Sequence, residues 1–290
     1  MSQSVPDKTF WQQIAANEFT VPEGYTVQQL TPALIDLLGD EDPDLRDDVG
    51  YMGLYHWIAD HKRYSPDELR DLTNTLRSGL HDHLIENPPN SALRRSFSAL
   101  GLSVLAYHDL TASFWTADEV HALVEAACDY LLAEQDVRGY QNGIGWIHAV
   151  AHTADLLKFL ARNSKSDSGD HLRMLNAIAD RLMKPVAYIY IHDEDERLTQ
   201  AITDILKRRT LSETVIIGWL ERIRNWKQEH GSGSGFDPLI HAPYMNLKNF
   251  ARSVYLMLQM LAQQDEQFAP IEQEAQKVVR FYGMGTIYTV

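Results

Sequence analysis

Two histidines four residues apart, His148 and His152, with Asp155 three residues further on, are the residue types here best suited to chemistry. On an α-helix, at about 100° per residue, the three fall within an arc of roughly 60°. Imidazoles at that spacing bind zinc and other divalent ions, and Asp155 would be the third ligand of such a metal site. No glutamate follows His148, so the metalloprotease signature is absent. Without a metal, a histidine oriented by Asp155 is a general base or acid, with Arg138 as an anion-holding group. A third reading assigns no catalysis. The His/Asp row then hydrogen-bonds to the preceding loop or the next helix, Asp136 and Arg138 fix the turn, and Trp146 fills the core.

The element expected to carry this row is a helix from about Gly145 to Arg162. Trp146, Val150, Leu157 and Leu160 cluster on its opposite side as an apolar face. Ala149, Ala151 and Ala154 flank the polar face and leave room for a ligand or a closely packed helix. Gly143 and Gly145 at the entrance permit backbone conformations that other residues resist. Arg94 and Arg95, at the start of a helix over 93–107, suggest pairing with a carboxylate or holding an anion. His192-Asp-Glu-Asp-Glu-Arg197 is an acidic turn at a helix start, which favours that end of the dipole and could also hold a hard cation.

The rest of the chain reads as helix nearly throughout. Asp42-Pro43-Asp44 and Ser65-Pro66-Asp67-Glu68 are helix starts, and Thr116-Ala-Asp-Glu119 is a capping box. Leu69, Leu72, Leu76 and Leu80 recur at helical spacing. Further helices are expected over 170–184, 194–209, 212–229, 244–264 and 270–282. Val186–Ile191 and the tail from Thr286 are read as helix ends or coil. The glycine-serine stretch within 229–236 is expected to be a flexible loop inside one domain spanning 1–290. His241-Ala-Pro-Tyr244 reads as a loop folding back as a movable cover. Such helices bury their stripes in stacked pairs or in a bundle. The turn Leu37 to Val49, with Asp42, Pro43 and Arg46, looks like a HEAT-type repeat turn. The expected fold is therefore all-α, an α-α superhelix of HEAT-like repeats, with a compact helical bundle as the alternative.

Composition narrows the function classes. The 290 residues are 44% hydrophobic and 23% charged, as in ordinary globular proteins. With 26 Lys plus Arg against 40 Asp plus Glu, the net charge of −14 repels phosphate backbones and anionic lipid, arguing against nucleic-acid or membrane partners. The single cysteine, Cys128, among acidic and apolar neighbours, reads as a buried structural thiol in a reducing compartment. No secretory signal is legible at the N-terminus, and the expected location is the cytoplasm.

The stretch Asp136-x-Arg138-Gly-Tyr140, with Trp146-x-His148-Ala-x-Ala-His152-x-x-Asp155-Leu-Leu, resembles the signature of the bacterial DUF2785 family. Asp42 to Arg46, Arg95-Ser-Phe97 and Glu194 to Arg197 match its outer motifs more loosely, and the resemblance covers about 35–265. It implies a HEAT-like superhelix in a bacterial cytoplasm and no particular activity. Two functions follow as expectations. One is an interaction scaffold that binds a protein or small-molecule partner on a concave face through the His/Asp site, with Asp136, Arg138, Arg95 and Trp146 as binding residues. The other is a metal-assisted or His-dependent hydrolase using His148, His152 and Asp155.

Overall fold

The computed structural model describes residues 7–230 and 236–284. Among them are twelve α-helices and one two-stranded hairpin, so the fold is all-α. The helices are α1 (Lys8–Ala16), α2 (Val27–Leu37), α3 (Met52–Tyr55), α4 (Pro66–Gly79), α5 (Ala92–Ala112) and α6 (Ala117–Ala133). The hairpin, β1 (Tyr140–Gln141) and β2 (Gly145–Trp146), follows. Then come α7 (Ala149–Arg162), α8 (Ser168–Met183), α9 (Glu194–Arg208), α10 (Glu213–His230), α11 (Pro238–Gln264) and α12 (Ala269–Val279). On either side of α3, Asp44–Tyr51 and His56–Asp60 are wound in the wider i→i+5 form, making one helical run from Asp44 to Asp60.

Local chemistry starts most of these helices. Thr26 with Gln29, Ser65 with Glu68, Thr116 with Glu119 and Asp167 with Asp170 each form a reciprocal capping box. Each satisfies amides that a helix start would otherwise leave unpaired. From α5 onward the helices form two rows. One is α5, α7, α9 and α11; the other is α6, α8, α10 and α12, so lateral neighbours lie two apart in sequence. Helices α5 and α7 are buried almost all round. Small residues allow their close approach to neighbours: a Cβ on Gly101 would lie 3.0 Å from Leu76 Cδ1. One continuous apolar core runs from Trp11 to Tyr282. Cys128 is part of it, and burial pushes its thiol up to about 12, out of the reactive range.

Two expectations are corrected. His241-Ala-Pro-Tyr244 is not a loop but the early part of α11, where Asp237 accepts from the Leu239 amide and Pro238 occupies the first turn. Pro243, close to the helix start, interrupts little. In the expected loop over 229–236, Glu229 and His230 close α10, and residues 231–235 lie outside the described residues, as does the tail from Thr286.

The rows are tied together by buried charge. Arg95, wholly buried in α5, donates Nε and Nη2 to the two carboxylate oxygens of Glu134 at 2.7 and 2.9 Å. Its remaining N–H groups go to Asp82 O, His83 O, Ser91 Oγ and Asn87 Oδ1. Arg181 of α8 donates to the Glu134 carbonyl at 2.7 Å and to Tyr190 Oη at 3.1 Å. We expect Arg95→Ala to cost about 3–5 kcal/mol, because it strands a buried carboxylate. Denaturant unfolding checks this. The double variant Arg95→Met, Glu134→Gln should lose less than the sum of its singles, and strict additivity would show that the pair is not coupled.

Candidate functional site

The connection from α6 to α7 builds the site. Glu134 caps α6 and accepts the Gln135 and Asp136 amides, both at 2.9 Å, so the Arg95 partner also sets the direction of the exit. Asp136 grips Arg138 through Nε at 2.9 Å and Nη2 at 2.5 Å, and Arg138 reaches on to Gln141. These two fix the turn. The chain then pairs Tyr140 with Trp146 across an antiparallel hairpin whose turn needs Gly143 at φ +84°.

Gly145, at φ +82°, presses on a neighbour: a Cβ there would lie 3.0 Å from both Pro43 Cβ and Arg46 Nη2. Arg46, wholly buried, donates to Ile144 O at 2.7 Å and to Asp40 O at 2.8 Å, and stacks 4.9 Å from the Phe97 ring centroid. The Asp42-Pro43-Arg46 turn is thus the buttress of a hairpin a hundred residues away. Asp47 Oδ2 lies 2.8 Å from Arg46 Nη2 but off the N–H direction, so charge meets charge without a hydrogen bond. Burial raises the Asp47 carboxyl to about 6.

The helix expected from Gly145 begins instead at Ala149. Gly145 (φ +82°) and His148 (φ +50°) are both left-handed, which breaks a helix, and the amides of Ile147 and His148 are tied to Gly139 O and Arg138 O at 2.8 and 3.1 Å. His148 becomes the residue that turns the chain into α7, in the left-handed region at φ +50°, ψ +31°. His192 and Gly139 lock around it. A Cβ on Gly139 would meet His192 Nδ1 at 2.3 Å, so only glycine fits.

The protonation of both imidazoles follows from their partners. His148 Nε2 lies 3.0 Å from His192 O, and a carbonyl can only accept, so the proton is on Nε2 and the lone pair on Nδ1. His152 Nδ1 lies 2.8 Å from Ser96 Oγ, whose single proton is donated to Ile147 O. His152 therefore donates from Nδ1 and keeps its lone pair on Nε2. The two ring centroids are 5.7 Å apart at 83°. Burial, reinforced by the Arg197 charge, lowers His148 to about 4. Burial, with His148 and Arg197 adding to it, holds His152 well below the usual range. Both rings are neutral at pH 7.

Asp155 shares the face but not the hydrogen bonds. Its oxygens take Lys158 Nζ at 2.8 Å and Arg197 Nη1 at 2.5 Å, so it orients neither histidine. Trp146 is not in the core. It is 40% exposed and stacks on His148 at 4.3 Å and 22°, with Tyr140 edge-on at 5.0 Å. Arg95 is sealed below the surface. His192, which the sequence showed only as part of an acidic turn, stands 5.8 Å from Trp146 and 6.2 Å from His148, centroid to centroid. In that turn Glu194 is buried, accepts the His192 amide at 2.8 Å, and leaves Oε1 without a partner; burial raises its carboxyl.

Among the described residues, the trio whose ligand-type atoms converge is His121, Asp167 and Asp170; His148, His152 and Asp155 do not form one. That convergence is accounted for by the α8 capping box and by the 2.6 Å pair of His121 Nδ1 with Asp170. A cavity of about 370 Å³ between α2 and α4, beside Tyr64, and one of about 550 Å³ against α10, beside Trp226, lie away from the imidazoles.

The folded His148 binds its proton near pH 4, against 6.5 when free, so between those values the unfolded chain holds more protons. The stability linked to this ring is present above pH 6.5 and falls away as pH drops toward 4, by roughly 2–3 kcal/mol. His148→Asn, which tolerates the left-handed conformation, should show a shallower fall over that window in pH-dependent unfolding. An unchanged slope would assign the loss elsewhere.

The family model described as DUF2785, protein of unknown function, matches residues 80–256. The span runs from the end of α4 into α11 and holds the hairpin and both imidazoles; it is narrower than the 35–265 expected and omits the Asp42–Arg46 turn. Comparison with curated proteins and with solved structures finds no match. No described helix is long and apolar enough to cross a membrane. With well over half of its length matched, this chain belongs to the DUF2785 family.

Proposed function

We propose that this chain is an interaction scaffold: a single HEAT-like α-α superhelix of the bacterial cytoplasm that holds a protein partner on the surface around Trp146, His148 and His192. One observation carries the reading. Tyr140 and Trp146, edge-on to each other at 5.0 Å, are 46% and 40% exposed. Large side chains of this kind, displayed together on a rigid support, are the usual energetic centre of a protein interface. The support here is firm, because buried Arg46 joins the hairpin to Phe97 of α5, while Gly139 and His148 hold it against His192 at the entrance to α9. The alternation of two helix rows and the Asp42-Pro43-Arg46 turn support the repeat reading. A lone buried cysteine fits a reducing compartment. The net charge of −14 favours a basic partner over nucleic acid or anionic membrane.

The hydrolase reading draws support from two neutral imidazoles that each keep an unprotonated nitrogen. It is weakened by Asp155, which is committed to two cations, and by Ser96, whose buried hydroxyl proton is committed to Ile147 O. We expect Trp146→Ala and Tyr140→Ala to lower affinity for a cross-linked, purified partner on the order of tenfold or more, with melting temperature nearly unchanged. Partner binding indifferent to both variants would remove the scaffold surface. Ester or phosphoester turnover by the wild type that disappears in a folded His152→Gln variant would establish the hydrolase instead.

A further inference from the structure

We propose that His148 Nδ1 and His152 Nε2 form a two-imidazole site for a late first-row divalent ion such as zinc or copper, without Asp155 as a ligand. The inference stands apart from partner binding: it concerns the ring edges beneath Trp146, and either can fail while the other holds.

Three observations converge on it. The first is the donor inventory. A metal takes the lone pair of a neutral imidazole, and these two rings have one each, at nitrogens that no described residue hydrogen-bonds. The second is the outer shell. Metal-bound histidines donate their other ring N–H to a carbonyl, carboxylate or similar acceptor, which fixes tautomer and orientation. His148 does so to His192 O, and His152 to Ser96 Oγ, itself anchored on Ile147 O. Two rings so locked are already in the forms a metal requires.

The third is spacing. With metal–nitrogen bonds of about 2.1 Å, the ion sits about 3.2 Å from each ring centroid. Two rings on one ion are then about 5.2 Å apart at a tetrahedral angle and about 6.4 Å when opposed. The observed separation of 5.7 Å lies between these limits, and the near-perpendicular rings do not collide. Asp155 is excluded as a ligand by Lys158 and Arg197. The cationic neighbours Arg46, Lys158 and Arg197 are matched by the carboxylates Asp47, Asp155 and Glu194, so their formal charges cancel. Two nitrogen ligands suit zinc, copper or nickel over magnesium or calcium, and leave positions open for water or another ligand.

The test uses tag-free full-length protein stripped with chelator. Zinc is titrated by calorimetry, and copper(II) binding is followed by electron paramagnetic resonance. We expect one ion per chain and nitrogen hyperfine structure from two imidazoles. Binding should weaken at least tenfold in His148→Asn and in His152→Gln, and should be unchanged in His121→Ala. Binding that survives both imidazole variants and is lost in His121→Ala would assign the ion to the start of α8 and overturn the proposal. So would an all-oxygen copper spectrum, or the absence of stoichiometric binding. Should either imidazole variant fail to fold, ¹⁵N shifts in the wild type decide: zinc must move His148 Nδ1 and His152 Nε2, and unmoved resonances overturn the site.

Discussion

A guanidinium and a carboxylate buried together, Arg95 and Glu134, are the constraint on which the rest of the molecule depends. Neither charge tolerates the interior alone, and together they leave almost no hydrogen-bonding capacity unused. Arg95 gathers the α4–α5 connection through Asp82, His83 and Asn87, while Glu134 ends α6 and receives the next two amides. Sealing this pair therefore joins the two helix rows and sets the angle at which the chain leaves α6. A hydrophobic pair of similar volume could fill the same space, but it could not direct the backbone.

Everything displayed at the surface inherits that direction. Asp136 and Arg138 continue the turn, Gly139 passes beneath His192, and Gly145 lets Pro43 and Arg46 close against the hairpin. The outcome is a rigid shelf with an exposed indole above and two neutral imidazoles below. Positive backbone angles at Gly143, Gly145 and His148 occur within six residues, which marks the shelf as held by its surroundings rather than by local preference. The same support explains why the histidines keep single tautomers: their partners are one backbone carbonyl and a hydroxyl that is itself anchored.

Helix starts were legible because their chemistry is local. Ser65 with Glu68 and Thr116 with Glu119 cap within four residues, so spacing alone reveals them. The all-α class followed from the same signals, and the central motif identified the family. The shelf was legible only in part. His148 and His152 do lie together, yet the helix was extended too far back because Trp146 continues the apolar stripe of α7. What displaces Trp146 is its strand pairing with Tyr140 and the left-handed backbone at Gly145 and His148, and periodicity carries no trace of either. Asp155 looked free to orient a histidine because its principal partner, Arg197, is 42 residues away. His192 stood in plain view within an acidic run, and nothing local says that it reaches the indole. Arg95 looked like a binding residue since two adjacent arginines at a helix start give no clue as to which one turns inward.

The bond from Arg46 to Ile144 O has a wider bearing. The segment that defines the family begins at residue 80, downstream of Arg46, yet the shelf inside that segment leans on this upstream side chain. An excised fragment limited to the shared region would carry every residue of the shelf and lack the brace that holds its outer turn. Relatives that differ in their leading helices would then present the same motif with a differently tilted indole. Divergence in that surface would then need no change in the motif itself.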